Sequence, residues 1–396
     1  MTALRQKQRG TVSGNRQQRR PRAGALMPPD RQPPVRGLSD IASAVEKPLA
    51  EYSREMPLEL AAFFHAGQQV ERCYSNTIEL YDAIPKYFWG KVRREGGKYL
   101  PSIQRQFKHK KSAYQVTVFP ARIINGRGEE KDYYPGLREE LVEDALRKLA
   151  CEGRGLFLDQ QMSVVFSLYE LQQELKQRGH TYNINQIKEA LLICARTSIE
   201  LKPLDGTREL SFTLFANVGL ETREDWLQHG KRSRAFVRFN QLVTASIENL
   251  TFRQLDYETC MTYRSSLARW FHKRLSHNFI QAGLSTRYTI RLSTILRDSG
   301  VQRYAKISNN IRAVIKALDE IREARIITRF TTEKIHGRRS NKIMDAKFVL
   351  YPSQAFVREV RRTNAQLQQI AESEELESRR HGLRTIREQQ VLELVP

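Results

Sequence analysis

The chain has 396 residues and carries 66 Lys and Arg against 44 Asp and Glu, a net charge of +22. That length accommodates two or three domains with real cores, and the charge favours a polyanionic partner, for which DNA, RNA and anionic lipid all qualify, although composition alone fits a ribosomal or merely basic soluble protein as well. No apolar run is long enough to span a bilayer, and the arginine-bearing N-terminus lacks the apolar stretch of a secretory signal. The four cysteines, Cys73, Cys151, Cys194 and Cys260, lack zinc spacing and read as reduced thiols of a cytoplasmic protein. No membrane, metal or cofactor is implied.

Residues 1–55 read as a disordered basic arm. Within 1–36, nine Lys and Arg residues, from Arg5 to Arg36, stand against the single acid Asp30, with Pro and Gln between them. Such a segment cannot bury enough apolar surface to offset its ordering entropy. It is either a solubilising tail or a non-specific DNA contact. A short amphipathic helix is predicted over 57–72, from Leu58, Leu60, Ala61 and Phe64. The stretch IELYDAIPKYFW, Ile78 to Trp89, is apolar and aromatic with a proline break. Lys91 to Lys111 is basic and Gly-rich. Residues 114–124 alternate as one strand, and Asn125-Gly126 marks a turn.

From Leu137 an order of elements appears twice. A first helix, Leu137 to Ala150, precedes a strand, Met162 to Ser167, and a second helix from Leu168 to about Arg178. Gly179 and polar residues turn the chain into a third helix with Ile184, Ile187, Leu191 and Cys194 on one face. Ile199 and Leu201 begin a hairpin that turns at Asp205-Gly206 and returns through Leu210, Phe212 and Leu214. The second copy opens near Tyr257 with a helix bearing Leu267, Trp270, Phe271, Leu275 and Phe279. Tyr288 to Ile290 form a strand, Leu292 to Arg297 a small helix, and Ser299-Gly300 a break. The third helix buries Ile311, Val314, Ile315, Leu318 and Ile321. A strand at Ile326, Ile327 and Phe330, a polar turn over 335–342 and a return at Phe348 to Leu350 complete the copy. Two such runs in succession indicate a duplicated module. The fold class is therefore α+β, mainly helical, with two tandem winged-helix domains. Their bounds are 56–225, including the lead-in, and 226–355. A charged tail, helical or disordered, follows over 356–396.

Helix, turn, helix is the geometry that places a second helix in a major groove, and the hairpin after it forms a wing that reaches the backbone. In the second copy Asn309, Arg312 and Lys316 lie on the face away from the apolar stripe. Asn310 adjoins them, and Arg303 and Lys306 precede the helix. Asn pairs bidentately with adenine and Arg with guanine, while Lys suits phosphate. The wing carries Lys334, His336, Arg338, Arg339 and Lys342. Residues 285–350 hold fifteen Lys and Arg against six Asp and Glu, a net of +9. A solvated helix face and a flexible basic loop are the plainer readings of these two features. The first copy is less basic. Its third helix offers Asn185, Gln186, Lys188 and Arg196, but also Glu189 and an off-face Leu192. Weak DNA contact and packing against a second copy of the chain are equal readings of it.

The segment SVVFSLYELQQELKQRGHTYNINQIKEAL resembles the first winged helix of iteron-binding plasmid replication initiators, the RepA/TrfA class. A strand runs into Tyr169-Glu170-Leu171, then a glycine turn, then a helix starting near Asn185. The span from ARWFHKRLSH through LSTILRDSGVQRYAKISNNIRAVIKALDEIREARII is similar to that family's second winged helix. LYDAIPKYFW is similar to the segment ahead of the first. The resemblance covers roughly 75–350 and contains no strict motif. It implies that the second module reads repeated origin sites in double-stranded DNA and that the first mediates dimerisation and adds contacts. It also implies origin opening and recruitment of the host replication initiator and the replicative helicase or its loader.

Catalysis is not expected. Gly96-Gly97-Lys98-Tyr99 lacks the spacing and the Ser or Thr of a P-loop. No His-x-His pair suggests a nicking enzyme. His336 to Arg339 with Tyr351 matches the His-x-x-Arg of tyrosine recombinases only formally, since the tyrosine follows too closely. A winged-helix transcriptional regulator without a replication role is the serious alternative. RNA-binding signatures are absent.

Overall fold

The computed structural model describes residues 74–90, 99–124, 128–158, 161–206, 209–220, 234–337 and 340–392. They belong to one unit of the fold, residues 47–396. The expected arm and the helix expected over 57–72 lie outside them. The described residues are mixed α/β and include strands that the sequence reading did not anticipate.

The lead-in is one of these. β1 (Tyr74–Ile78) is buried along its whole length and pairs antiparallel with β12 (Phe252–Asp256). It feeds a single turn, α1 (Glu79–Ala83), whose Asp82 accepts hydrogen bonds from Ile78 N at 2.7 Å and Thr77 Oγ1 at 2.6 Å. Pro85 then prevents the turn from continuing. β2 (Ile103–His109), in the stretch read as basic and Gly-rich, forms a hairpin with β3 (Ser112–Val118), the first half of the expected strand. The alternation of β2 is concealed because only its Phe107 is buried, while Gln104, Gln106 and Lys108 face solvent. The single strand expected over 114–124 divides at Pro120. Its second half, β4 (Ala121–Ile124), pairs instead with β5 (Glu130–Tyr133).

The first core gathers on α2 (Leu137–Leu149), α3 (Leu168–Gln177) and α4 (Ile184–Arg196). Both latter helices open with capping boxes. Ser167 Oγ accepts from Glu170 N at 3.0 Å, and Asn183 Oδ1 accepts from Gln186 N at 2.9 Å. Gly179, at φ +83°, supplies the left-handed residue that ends α3. After α4, β8 (Ser198–Pro203) and β9 (Leu210–Thr213) extend the first hairpin into a sheet of order β2-β3-β8-β9. A second sheet runs β10-β11-β7-β6, built from β6 (Gly155–Leu158), β7 (Gln161–Phe166), β10 (Phe215–Gly219) and β11 (Ala235–Phe239). α5 (Gln241–Glu248) then leads into β12. The first core therefore does not end at 225, because β11 zips against β7 and the buried cluster continues through Val243 and Ile247 to Met261.

The second core begins at Tyr263. The helix expected to open it is divided into α6 (Tyr257–Thr262) and α7 (Ser266–Asn278). At the break the Glu320 carboxylate accepts the N–H groups of Arg264 and Ser265 at 2.9 and 3.0 Å, and Ser265 caps α7. β13 (Tyr288–Arg291), α8 (Leu292–Asp298), α9 (Ile307–Glu323), β14 (Ile327–Gly337) and β15 (Ser340–Pro352) follow, with an antiparallel sheet of order β13-β15-β14. The segment after 355, expected as a solvated tail, begins inside this core. α10 (Gln354–Leu392) buries Phe356, Val357 and Val360 there, and Leu367 packs on the first core. Three apolar residues in its first two turns were too few to stand out from the charges around them.

An ionic seam joins α2 to α7. Lys273 Nζ lies 2.7 and 2.8 Å from the two Asp144 oxygens, and Arg269 Nε lies 3.6 Å from Glu140. Arg147 grips Asp82 through two bonds of 2.7 and 2.9 Å. Burial alone would raise the Asp82 carboxyl, but Arg147, Lys86 and Lys273 overcome it and hold the pKa well below the usual range. At Glu140 burial prevails over Arg269 and Lys273 and the pKa is raised. Trp89 packs against both cores and donates Nε1–H to Glu140 at 3.1 Å. Paired charges of this kind constrain geometry more than they add stability.

Candidate nucleic-acid interface

α9 turns Ile311, Val314, Ala317, Leu318 and Ile321 inward, and Ile315 is half-buried at the edge of that stripe. One helical step of about 100° then decides the fate of each neighbour. Arg312 and Lys316 are exposed and Asn309 is half-buried, on the outward side at i, i+3 and i+7, a span of about 10 Å. Arg312 Nη1 reaches Asn309 Oδ1 at 3.4 Å. The C-terminal half of the helix is acidic by contrast. Asp319 pairs with Arg322 at 2.8 Å, and Glu320 holds the start of α7. Arg312 and Lys316 fall within the first three turns, and the N-terminal part of such a helix is what meets base edges when it enters a major groove; beyond them Arg322 is paired with Asp319.

Asn310 does not belong to that face. It is 5% exposed, its Oδ1 accepts from Tyr304 N at 2.8 Å, and its Nδ2 donates to Tyr304 O at 2.8 Å. It fastens the turn between α8 and α9 and has no free edge for a base. Arg303 and Lys306 stand exposed on the turn so fixed. Two further exposed groups there escaped the sequence reading, Ser308 and the aromatic Tyr304. Tyr304 stood apart from any apolar pattern, and that isolation was the available signal.

The polar turn expected over 335–342 is mostly strand. β14 continues to Gly337 and β15 starts at Ser340, with bulges at Ile335/His336 and His336/Gly337. β13 pairs only with Lys347 to Leu350, so the ribbon runs on as two strands beyond Ala346, for about 20 Å. Thr, Ile and Lys suit a solvated two-stranded ribbon, but without a buried face they leave no alternation to read. Lys334, His336 and Lys342 are exposed along it. Arg338 and Arg339 lie outside the described residues. At its base Lys347 pairs with Glu333 at 3.2 Å and Arg329 lies 4.0 Å over the Tyr351 ring.

The corresponding surface of the first module is occupied. Asn185 and Gln186 are exposed and Lys188 half-buried, but Gln186 Oε1 accepts from Asn183 N at 2.9 Å and is committed to the cap. Glu189 pairs with Arg138 at 2.8 Å. The β4–β5 hairpin covers the next turns. Ile193 is buried with Ala121 and Ile123, Leu192 packs beside them, and Arg196 Nη1 donates to Arg122 O at 3.2 Å. β8 lies between β3 and β9, so it cannot project as the ribbon of the second module does. The sequence-named residues therefore form one outward set on α9 and its preceding turn, a second on the ribbon, and a separate short set on α4.

Cys151, Cys194 and Cys260 are buried free thiols. Among the described residues no helix is long and apolar enough to cross a membrane. No protein-family model matches the chain, and no curated protein matches it. Among solved structures it is similar to domains 2 and 3 of RctB in two crystal structures. One, of selenomethionine derivatives, has 10% identity, covers 69% of this chain and 96% of that one, and has a TM-score of 0.42. The other, RctB-155-483, has 10% identity, coverage of 70% and 98%, and a TM-score of 0.41. It is also similar to the Pi initiator protein in complex with iteron DNA, at 12% identity, 55% and 91% coverage and a TM-score of 0.39.

Proposed function

We propose that the chain is a plasmid replication initiator that binds repeated origin sites in double-stranded DNA through two tandem winged-helix modules. The observation that carries the DNA-binding part is the first three turns of α9, where Asn309, Arg312 and Lys316 face outward beside a basic, projecting ribbon. In this reading α9 lies in the major groove, Asn309 and Arg312 read base edges, and Lys316, Arg303 and Lys306 meet phosphates. Lys334, His336 and Lys342, with Arg338 and Arg339, follow the adjacent backbone or minor groove. The initiator role, origin opening and recruitment of a host initiator and helicase or loader rest on the resemblance to the iteron-binding family. Self-association is assigned to the first module, supported by the place of β9 at the edge of its sheet among the described residues and by exposed Leu204 and Leu210 near it.

The chain acts without catalysis of its own in this reading. On the ribbon His336 pairs with Ile343, and Tyr351 lies eight residues farther along β15, about 26 Å away. That separation does not suit a recombinase site.

The test is selection from a randomised duplex pool by the full chain, followed by titration of selected and scrambled duplexes. Selection of a defined half-site, with direct repeats of it beside the coding region at one or two helical turns, supports the initiator. A lone promoter palindrome would support the transcriptional regulator instead. Absence of duplex binding at low salt would end both readings.

A further inference from the structure

A cleft of about 870 Å³ opens between the two modules, in front of the N-terminal end of α9. One wall is β2 of the first module, with Gln104, Arg105 and Gln106. The other is the second module, with Arg297, Arg303 and, from the ribbon, Asp345. The walls are held at a fixed separation. Lys108 N donates to Asp298 Oδ1 at 3.0 Å, which clips β2 to the end of α8. Gly300 sits at φ +71°, and a Cβ there would lie 2.9 Å from both Arg105 Nη1 and Pro85 Cβ, so the close approach of the modules requires glycine.

The charges of the cleft are not balanced. Arg105 donates to the carbonyls of Pro85 and Tyr87 at 2.6 and 2.7 Å, which anchors the guanidinium at the wall. Burial lowers its pKa to about 10, so it stays cationic at neutral pH. Arg303 is exposed. Arg297 pairs with Asp298 at 2.6 Å. Asp345 accepts from Ser293 N at 3.1 Å and Ser293 Oγ at 2.8 Å and is counted against the cations, and Arg105, Arg297 and Arg303 outnumber it and Asp298 by one. What remains is an open trough of net positive character, edged by β2 at Gln104 and Gln106 and floored in part by Leu292, Leu296, Val301 and Ile307. Small-molecule sites are enclosed and mainly apolar. An open trough with three arginines in its walls and apolar side chains between them matches a sugar–phosphate strand, which offers phosphates to the cations and sugar faces to the apolar groups.

We propose that this cleft seats one phosphodiester strand of the duplex that α9 reads, so that β2 of the first module acts as the second jaw of a phosphate clamp. The inference rests on the DNA-binding reading of α9. It gives the first module a route to DNA that bypasses its covered helix α4. It also makes DNA span the fixed junction between the modules.

Gln104 and Gln106 face solvent, so charge can be placed there without disturbing a core. The full chain carrying Gln104→Lys with Gln106→Lys is titrated, beside the parent chain and Gln104→Glu with Gln106→Glu, against a selected duplex at several salt concentrations. Each added phosphate contact steepens the dependence of log K on log salt by about 0.9. The Lys pair should therefore steepen the slope by up to about 1.8 units and tighten binding at low salt. The Glu pair should weaken binding roughly tenfold or more at low salt, with sequence preference unchanged in both. If the parent chain binds with a steep slope and neither pair alters affinity or slope, the clamp is wrong and the reading of α9 stands. If the parent chain fails to bind duplex DNA, the reading of α9 fails and the clamp falls with it.

Discussion

α4 and α9 hold the same place in two runs of helix, strand, helix, helix and hairpin, yet their outward faces differ. On α9 the face is open, and the adjoining hairpin projects beyond its third strand as a free ribbon. On α4 the face is shared among a capping glutamine, the Glu189–Arg138 pair and the β4–β5 hairpin, and the hairpin that follows is built into a sheet. A duplicated order of elements therefore need not carry a duplicated surface. What an added hairpin covers decides which copy is free to meet a ligand.

The broadest way to break this contrast is salt. If the α9 face, its turn and the ribbon together meet six to ten phosphates, affinity for duplex DNA falls by about 10³ to 10⁵ between 50 and 200 mM salt. Fluorescence anisotropy with a labelled duplex measures it, and a flat response would remove the electrostatic half of the comparison.

The comparison also assumes that the two cores keep their relative positions, which the α2–α7 seam enforces. Asp144→Ala leaves the buried Lys273 ammonium with only the longer contact to Glu140 at 3.8 Å, and urea unfolding should report a loss of about 3 kcal/mol. Replacing both partners, Asp144→Leu with Lys273→Met, should recover most of it. A single variant as stable as the parent would mean that the seam constrains nothing.

Acid should loosen the same region. Burial depresses His272 to about 4, and burial, aided by Arg253 and Arg147 and opposed by Asp82, depresses His277 to about 3. Both are neutral when folded but take up protons near pH 6.5 when unfolded. The unfolded chain thus binds more protons between pH 6.5 and 4, so stability falls as pH falls through that window. At its limit the loss is about 3 kcal/mol for His272 and about 5 kcal/mol for His277, whose window extends to about pH 3. His277→Gln, which keeps a polar group toward Thr77, should flatten the profile. An unchanged profile in that variant would place the acid sensitivity elsewhere.

Much of this fold was legible from period and punctuation. α2, α3, α4 and α9 carry apolar stripes of helical spacing, and Gly179 and Gly300 stand where the chain turns. What escaped did so for physical reasons. β2 and the ribbon are strands with little buried face, so few apolar residues mark their alternation, and the contact of β11 with β7 joins segments about seventy residues apart. The outward set Asn309, Arg312 and Lys316 followed from the helix period. Asn310 did not, since its bonds to the Tyr304 backbone depend on the path of the preceding turn. That α4 is covered could not be read either, because the strand pairing that places β4–β5 over it is long-range.

At the small end, Asn185→Ala with Lys188→Ala on α4 should change DNA affinity by no more than about 0.5 kcal/mol, as for surface positions away from a contact. The central claim, that α9 and not α4 reads sequence, is tested most directly by comparing this variant with Arg312→Ala on a selected duplex and its scrambled counterpart at fixed salt. Arg312→Ala should lose about 1–3 kcal/mol on the selected duplex and little on the scrambled one, collapsing discrimination. The α4 variant should discriminate as the parent does. Loss of discrimination in the α4 variant with Arg312→Ala unaffected would contradict the account.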